Sequence, residues 1–264
     1  MFHNRKLTVT ATATAIVLAL SACAQGTSDG TDGDNEIALA GVAFNATDPF
    51  WITFMCGGTK AANAAGVTLK WYAGNTAEVS EQQTNLDAAL LKDPDAIIIG
   101  ASASDPFSAQ VEDIQAAGVP VIAAATDTSP NYTTVRSGTD NAEFIDYVVN
   151  DIGETGTLGI LAGIPGDNPW LVSRWQPLVD QLATTAPGIT VLAEQYTDFD
   201  RNKATAAASA LITGNPDLTA IYAVSGPEGE GAAAAVEEAG KSGQIKVYSY
   251  DATPAQVEAL RAGT

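Results

Sequence analysis

From residue 37 to the end, short apolar runs alternate with amphipathic stretches, and no other feature constrains the fold as strongly. Eight runs read as strands: 37–44, 67–73, 96–101, 119–126, 157–164, 189–196, 218–225 and 245–250. Each is β-branched or aromatic in part, as strands buried in a parallel sheet require. Helical patterns occupy 49–65, 78–91, 106–117, 141–152, 168–186, 201–212 and 228–239, with a further helix at 254–262. Strand–helix alternation of this kind predicts an α/β fold, with parallel sheets flanked by helices on both faces.

The alternation breaks once. Residues 127–140 hold Asp127-Thr128-Ser129-Pro130-Asn131, a short extended piece at 133–137 and the start of a new helix at Asn141. Four strand units precede this seam and four follow it, so the expectation is two similar hinged lobes, 37–130 and 131–264. No close internal repeat is visible.

Upstream, Arg5 and Lys6 precede a mostly apolar stretch, 7–20, ending in Leu20-Ser21-Ala22-Cys23. A basic start, an apolar run and small residues at its end describe a secretory signal peptide. The run is too short and Thr-rich for a good membrane span. Leu-Ser-Ala-Cys resembles the lipobox of bacterial lipoproteins, which implies cleavage after residue 22 and acylation of Cys23. Ala22-Cys23-Ala24 also fits an ordinary cleavage after Ala24. Residues 23–36, rich in Gly, Thr, Ser and Asp, read as a tether. Asp29, Asp32 and Asp34 do not have the spacing of a calcium loop.

Charge narrows the partners. The chain carries 31 Asp+Glu against 12 Lys+Arg, a formal net charge of −19, and loss of Arg5 and Lys6 with the leader makes it more negative still. This excludes nucleic acid as a partner, because phosphate binding needs clustered Lys/Arg. The single histidine, His3, lies in the leader, which excludes Ser-His-Asp and Cys-His activation and any His-containing zinc site in the mature chain. Cys23 and Cys56 alone make neither a metal cluster nor a disulfide framework. No cofactor and no metal are expected, and Cys56 is expected as a packed thiol.

In open parallel sheets ligands lie beyond the carboxyl ends of the strands. Those positions here are 45–51, 102–105, 126–127, 165–170, 197–199, 225–228 and 251–254. They are rich in carboxylates, hydroxyls and aromatics and almost empty of basic groups, which suits a neutral polyhydroxylated ligand. Ser102 and Ser104 are weaker candidates that could serve as helix caps. Gly226-Pro227-Glu228-Gly229-Glu230-Gly231 lacks the glycine order of a phosphate loop, and its glutamates would repel a pyrophosphate. Ser225 lacks both the elbow pattern and a histidine to activate it.

Several strand ends form an ordered set of motifs: Asp48-Pro49-Phe50-Trp51, Asp198-Phe199-Asp200-Arg201 and Tyr250-Asp251-Ala252-Thr253-Pro254, with Gly118-Val119-Pro120, Gly138-Thr139-Asp140-Asn141 and Asn215-Pro216-Asp217 between them. Over residues 37–264 this order resembles the ribose- and galactose-type periplasmic sugar-binding proteins. The resemblance implies a type I periplasmic binding fold, with two lobes that close on a sugar and present it to an ABC permease. It also implies roles. Phe50 and Trp51 would stack on the C–H faces of a sugar ring, with Phe199 as the opposing wall. Asp48 and Asp251 would accept from hydroxyls, and Arg174 would donate to them as a fork.

The chain departs from the family pattern in places. Ala125-Thr126-Asp127 stands where the family often has Asp-Arg, leaving Asp127 to substitute one step late. Ser225-Gly226 stands in place of Asn-Asp, and Trp170, four residues before Arg174, could fill the freed space. Family members also continue past the 254–262 helix with a strand returning to the first lobe, so the sequence reads as truncated at the C-terminus.

The expectation is a non-catalytic solute-binding protein of an ABC transporter. It would bind a monosaccharide or related polyol as a monomer and sit at the outer face of the membrane, lipid-anchored, or in the periplasm. A sensory sugar-binding protein serving a membrane receptor, or a secreted carbohydrate hydrolase using paired carboxylates, are the alternatives.

Overall fold

The computed structural model describes residues 37–103, 105–126, 134–135, 141–166 and 168–263. In the first sheet, β1 (Ala38–Val42) pairs in parallel with β2 (Thr68–Tyr72) on one side and β3 (Ala96–Ile99) on the other. β4 (Val121–Ala124) and β5 (Thr134–Val135) extend it to the order β2-β1-β3-β4-β5. The second sheet runs β10-β9-β6-β7, where β6 is Thr155–Gly163, β7 Gly188–Val191, β9 Leu218–Ala223 and β10 Lys246–Ser249. A short β8 (Gln195–Tyr196) pairs further along β6. All pairings are parallel.

The helices are α1 (Pro49–Ala65), α2 (Val79–Leu90), α3 (Asp105–Ala116), α4 (Ala142–Ile152), α5 (Pro169–Thr185), α6 (Arg201–Gly214), α7 (Gly226–Glu238) and α8 (Pro254–Ala262). The fold is α/β, and both faces of the second sheet are covered. Along β6 and β9, Leu158, Ile160, Ala220 and Tyr222 pack with Ile145, Val148, Leu178 and Leu182 of α4 and α5. Their neighbours Leu161, Ile221 and Ala223 turn the other way, onto Ala204, Ala208, Ala232 and Ala235 of α6 and α7. That alternation is why the strands read as unbroken apolar runs, each large side chain adding ~1.5–3 kcal/mol by leaving water.

Three local expectations are corrected. The run 189–196 is two strands: after β7 the Leu192 amide still donates to the Leu158 carbonyl at 2.9 Å, but β8 rejoins β6 only beyond a register shift between Leu161 and Gly163. The short piece after residue 131 belongs by pairing to the first sheet, since β5 bonds to β4. Cys56 is exposed, because α1 turns Trp51 and Ala62 inward and leaves Cys56 on its outer side.

Each sheet has one place where successive crossovers leave in opposite directions: between β1 and β3 in the first, and between β6 and β9 in the second. The chain ends at these points diverge and leave a crevice. In the first sheet Gln82 ties it off, its amide donating to the carbonyls of Ala43, Phe44 and Gly100 and its oxygen accepting from the Ser102 amide. The strand ends of both sheets meet in one aromatic cluster, where Phe44 of the first meets Phe199 of the second edge-on at 5.0 Å.

Candidate binding cleft

Asp48 ends the turn after β1 and caps α1. Its Oδ1 accepts from the amides of Phe50 at 2.8 Å and Trp51 at 3.4 Å, while its own amide is held by Asn45 Oδ1. Among the described residues no donor reaches Oδ2. Burial pushes the Asp48 carboxyl above its usual range; the two amides oppose this, the charge of Asp251 adds to it, and that of Arg174 subtracts.

Arg174, one turn into α5, lies with its guanidinium between two rings, 3.9 Å from the Trp170 centroid and 4.6 Å from that of Tyr250. Its backbone carbonyl is clamped from the far side, accepting from the hydroxyls of Tyr222 at 2.7 Å and Tyr250 at 3.1 Å. One nitrogen, Nη1, donates to the Val224 carbonyl at 2.6 Å, and among the described residues the rest of the fork has no acceptor. Burial lowers its pKa, opposed first by Asp251, but an arginine starts so high that it stays charged. The group is therefore a rigid cation with unused donors, stacked on aromatic faces.

Asp251 follows β10 in the left-handed region at φ 68°, and its Oδ2 accepts from the Gly226 amide at 2.7 Å. Gly226 permits that approach: a Cβ there would lie 2.6 Å from Thr253 Cγ2 and 3.3 Å from Asp251 Oδ2. The cap of α8 is Thr253, in a capping box with Gln256, so Asp251 is not needed for that purpose. On the other flank, Asp198 and Phe199 both sit at positive φ, 55° and 57°. Two adjacent non-glycine residues in this region store strain and aim Phe199 at Phe44.

Eight of the nine expected ligand contacts thus lie about the meeting of the two sheets: Asp48, Phe50, Trp51, Trp170, Arg174, Phe199, Ser225 and Asp251. Phe50 is partly buried, 6.4 Å from Trp170 across the gap between the sheets. Trp51 is corrected from ring wall to packing residue. It is 3 % exposed, its face stacks on Phe44 at 5.7 Å, and it lies over Gly100, where a Cβ would come within 2.3 Å of the indole. Asp127 lies outside the described residues, as do Cys23 and the leader. Ser225 lies beside them with its hydroxyl against the Glu228 carboxyl group.

Four polar groups stand at strand ends that the sequence marked without singling them out. Asn168, 4 % exposed, caps α5 through Oδ1 and reaches into the first half with Nδ2, donating to the Ser102 carbonyl at 2.6 Å with Thr126 Oγ1 at 3.5 Å. Thr126 therefore faces the second half. Glu228 and Thr197 are buried beneath Ser225. For Asn168 a signal existed: Asn168-Pro169-Trp170 repeats the Asx-Pro-aromatic order of Asp48-Pro49-Phe50. Beside this cluster opens a cavity of about 320 Å³ lined by Thr47, Ser102, Asn168, Asp198, Phe199 and Lys203 among others. It meets the expected set at Phe199 alone. Among the described residues no group of three or more His, Cys, Asp or Glu could hold a metal ion, and no helix is long and apolar enough to cross a membrane.

Two parallel α/β sheets thus meet at a cluster of aromatic rings, carboxylates and one stacked guanidinium. A family profile described as periplasmic binding protein domain matches residues 39–264, and the chain belongs to that family. It is 27% identical to the ribose import binding protein of Escherichia coli K12 over 250 residues, 93% of this chain and 81% of that protein. It is 26% identical to the xylitol-binding protein of Mycolicibacterium smegmatis over 98% of this chain and 73% of that one. Among solved structures, an ABC transporter solute-binding protein from Agrobacterium vitis bound to α-D-tagatopyranose superposes with a TM-score of 0.76 at 28% identity, covering 86% of this chain and 80% of that one.

Proposed function

We propose that this chain is the extracytoplasmic solute-binding component of an ABC transporter and that it takes a neutral monosaccharide or related polyol into the cleft by closure. The observation that carries this reading is the Arg174 fork. It is buried between Trp170 and Tyr250 with donors to spare, and it lies within electrostatic reach of Asp48 from the first half and Asp251 from the second. A polyol supplies what these groups lack, since each hydroxyl both donates to a carboxylate and accepts from the fork. Phe50, Trp170 and Phe199 offer flat apolar area to ring C–H faces. The ligands named for the relatives, ribose, xylitol and tagatose, share this chemistry.

Contacts to both halves select the closed state, and the protein releases the ligand unchanged. The reading includes a leader at 1–22, a lipid on Cys23, a tether at 23–36, lobes dividing in the 127–140 crossover, a monomeric state, and permease subunits as partners.

The test is a thermal melt of the chain against pentoses, hexoses, ketoses and sugar alcohols. One sugar at 100 times its Kd should add ~2.7 kcal/mol of apparent stability. A cooperative melt that no sugar moves, or turnover of a glycoside, would overturn the reading.

A further inference from the structure

The cavity of about 320 Å³ beside the aromatic cluster is left over by the contacts proposed above, of which Phe199 alone lines it. Its volume lies at the lower end of ligand sites, ~300–1,000 Å³, and suits one small unit. Both sheets build it. The loops after β1, β2 and β3 bring Thr47, Asn75 and Ser102; those after β6 and β8 bring Asn168 and Asp198, with Lys203 on the first turn of α6. A unit held there touches both halves.

Two features mark this space as one that a ligand completes. Ser102 is 1 % exposed, and its Oγ has no hydrogen-bond partner; among the buried side-chain polar atoms of the described residues only Asn85 Nδ2 shares that state. A buried hydroxyl is normally paired, and the backbone amide and carbonyl of Ser102 already are, with Gln82 and Asn168. The wall opposite is also fixed in advance. Glu81 accepts from the amides of Asn75 and Thr76 and holds the loop after β2, while the Asn75 side chain has no partner among the described residues.

Charge decides what can enter. Lys203 Nζ donates to Asp198 at 2.7 Å, Asp200 caps α6, and Glu78 adds a third carboxylate from the first half. One cation among three acids repels an anionic group. It suits hydroxyls, which donate to the carboxylates and accept from Lys203 and Asn75.

We propose that this cavity is a second subsite of the cleft: it takes a neutral hydroxylated unit joined to the sugar at the Arg174 fork, so that the preferred ligand has two units, a disaccharide or a glycosylated polyol. This deepens the sugar-binding reading and rests on it. Phe199 belongs to both spaces, lining the cavity and standing in the aromatic cluster.

The experiment is calorimetric titration with D-ribose, D-allose, D-tagatose and xylitol, and with derivatives of each in which every hydroxyl in turn carries a glucosyl group. Glucosylation should weaken binding at most positions and at one position strengthen it at least ~10-fold over the parent. Asn75→Trp, at an exposed loop position, fills the cavity; it should cancel that gain and leave the parent's affinity as it was. Lys203→Met should shrink the gain, and it carries the test should Asn75→Trp fail to melt cooperatively. Ser102→Ala should weaken the glucosylated ligand without lowering the melt of the unliganded chain, since the hydroxyl it removes has no partner. A glucuronyl group in place of the glucosyl should lose most of the gain to the surrounding acids.

A parent that binds while none of its glucosyl derivatives binds more tightly overturns the subsite and leaves the sugar reading standing. So does a gain that survives intact in folded Asn75→Trp, or in Lys203→Met where Asn75→Trp does not fold. A chain that binds neither the four probes nor their derivatives overturns the sugar reading, and the subsite with it.

Discussion

The starts of α1 and α5 are built alike and do different work. Each opens with an Asx residue, a proline and an aromatic, and each Asx side chain takes the two amides that the first turn leaves unpaired: Asp48 those of Phe50 and Trp51, Asn168 those of Trp170 and Leu171. They differ in what the cap leaves over. Asp48 keeps a carboxylate oxygen with no donor among the described residues, whereas Asn168 keeps an amide that crosses to Ser102 and Thr126. One cap therefore leaves an acceptor over, which the proposed function gives to a ligand, and the other joins the two halves. A single atom, O or N, sets which.

The sharpest way to break the comparison is Asn168→Asp. The cap survives, but an oxygen replaces the donor that stands 2.6 Å from the Ser102 carbonyl. Two acceptors then face each other in a buried contact. We expect a cost of ~2–4 kcal/mol to the closed state, read in titration as ~30- to 1,000-fold weaker sugar binding.

Asp48→Asn is the mirror experiment and should cost less. It keeps the cap, loses a charged acceptor, and should weaken binding by ~1.5–3 kcal/mol with little change in the melt of the unliganded chain.

The third effect is on pH. The Asp48 carboxyl is raised from 3.8 by burial, so this group takes stability from the unliganded fold as pH climbs through 3.8 to the raised value; below 3.8 both states are protonated and nothing is lost. Ligand hydroxyls favour the ionised form. Affinity should therefore grow as pH rises through that window, with proton release visible when titrations are repeated in buffers of different ionisation heat. Asp48→Asn should flatten both trends. Glu228, also raised, tilts stability the same way, but less in Asp48→Asn, which lacks the Asp48 charge that adds to its shift.

The smallest effect is the shared one. Asp48→Ala and Asn168→Ala each lose a cap, and each should lower stability by ~1 kcal/mol in denaturant titration beyond its Asn or Asp counterpart's loss of the second contact.

The strands were legible because parallel strands buried on both faces carry their signal locally, in unbroken apolar runs such as 96–101. The split of 189–196 was not, because it depends on a register shift in a partner strand. Asp48, Phe199 and Asp251 stand in ordered motifs at strand ends, whereas Arg174, inside a helix, was named only through the family position that the resemblance implies. Trp51 was placed in the wall by its neighbours in the motif, but the bare backbone of Gly100, half a lobe away in sequence, draws the indole into the core. The bond from Asn168 to Ser102 spans 66 residues and that from Thr197 to Glu228 spans 31. No local pattern encodes such pairings, and Glu228 in a glycine-rich run looks like a surface acid until Ser225 and Thr197 are seen to close over it.

The most direct measurement is small-angle X-ray scattering of the unaltered, Asp48→Asn and Asn168→Asp proteins while the best-binding sugar is titrated in. The account predicts that Asp48→Asn contracts as fully as the unaltered protein but at higher sugar concentration. Asn168→Asp should contract only at a sugar concentration higher still, ~30- to 1,000-fold above that of the unaltered protein. Full contraction of Asn168→Asp at the unaltered protein's sugar concentration would contradict the division of roles between the two caps.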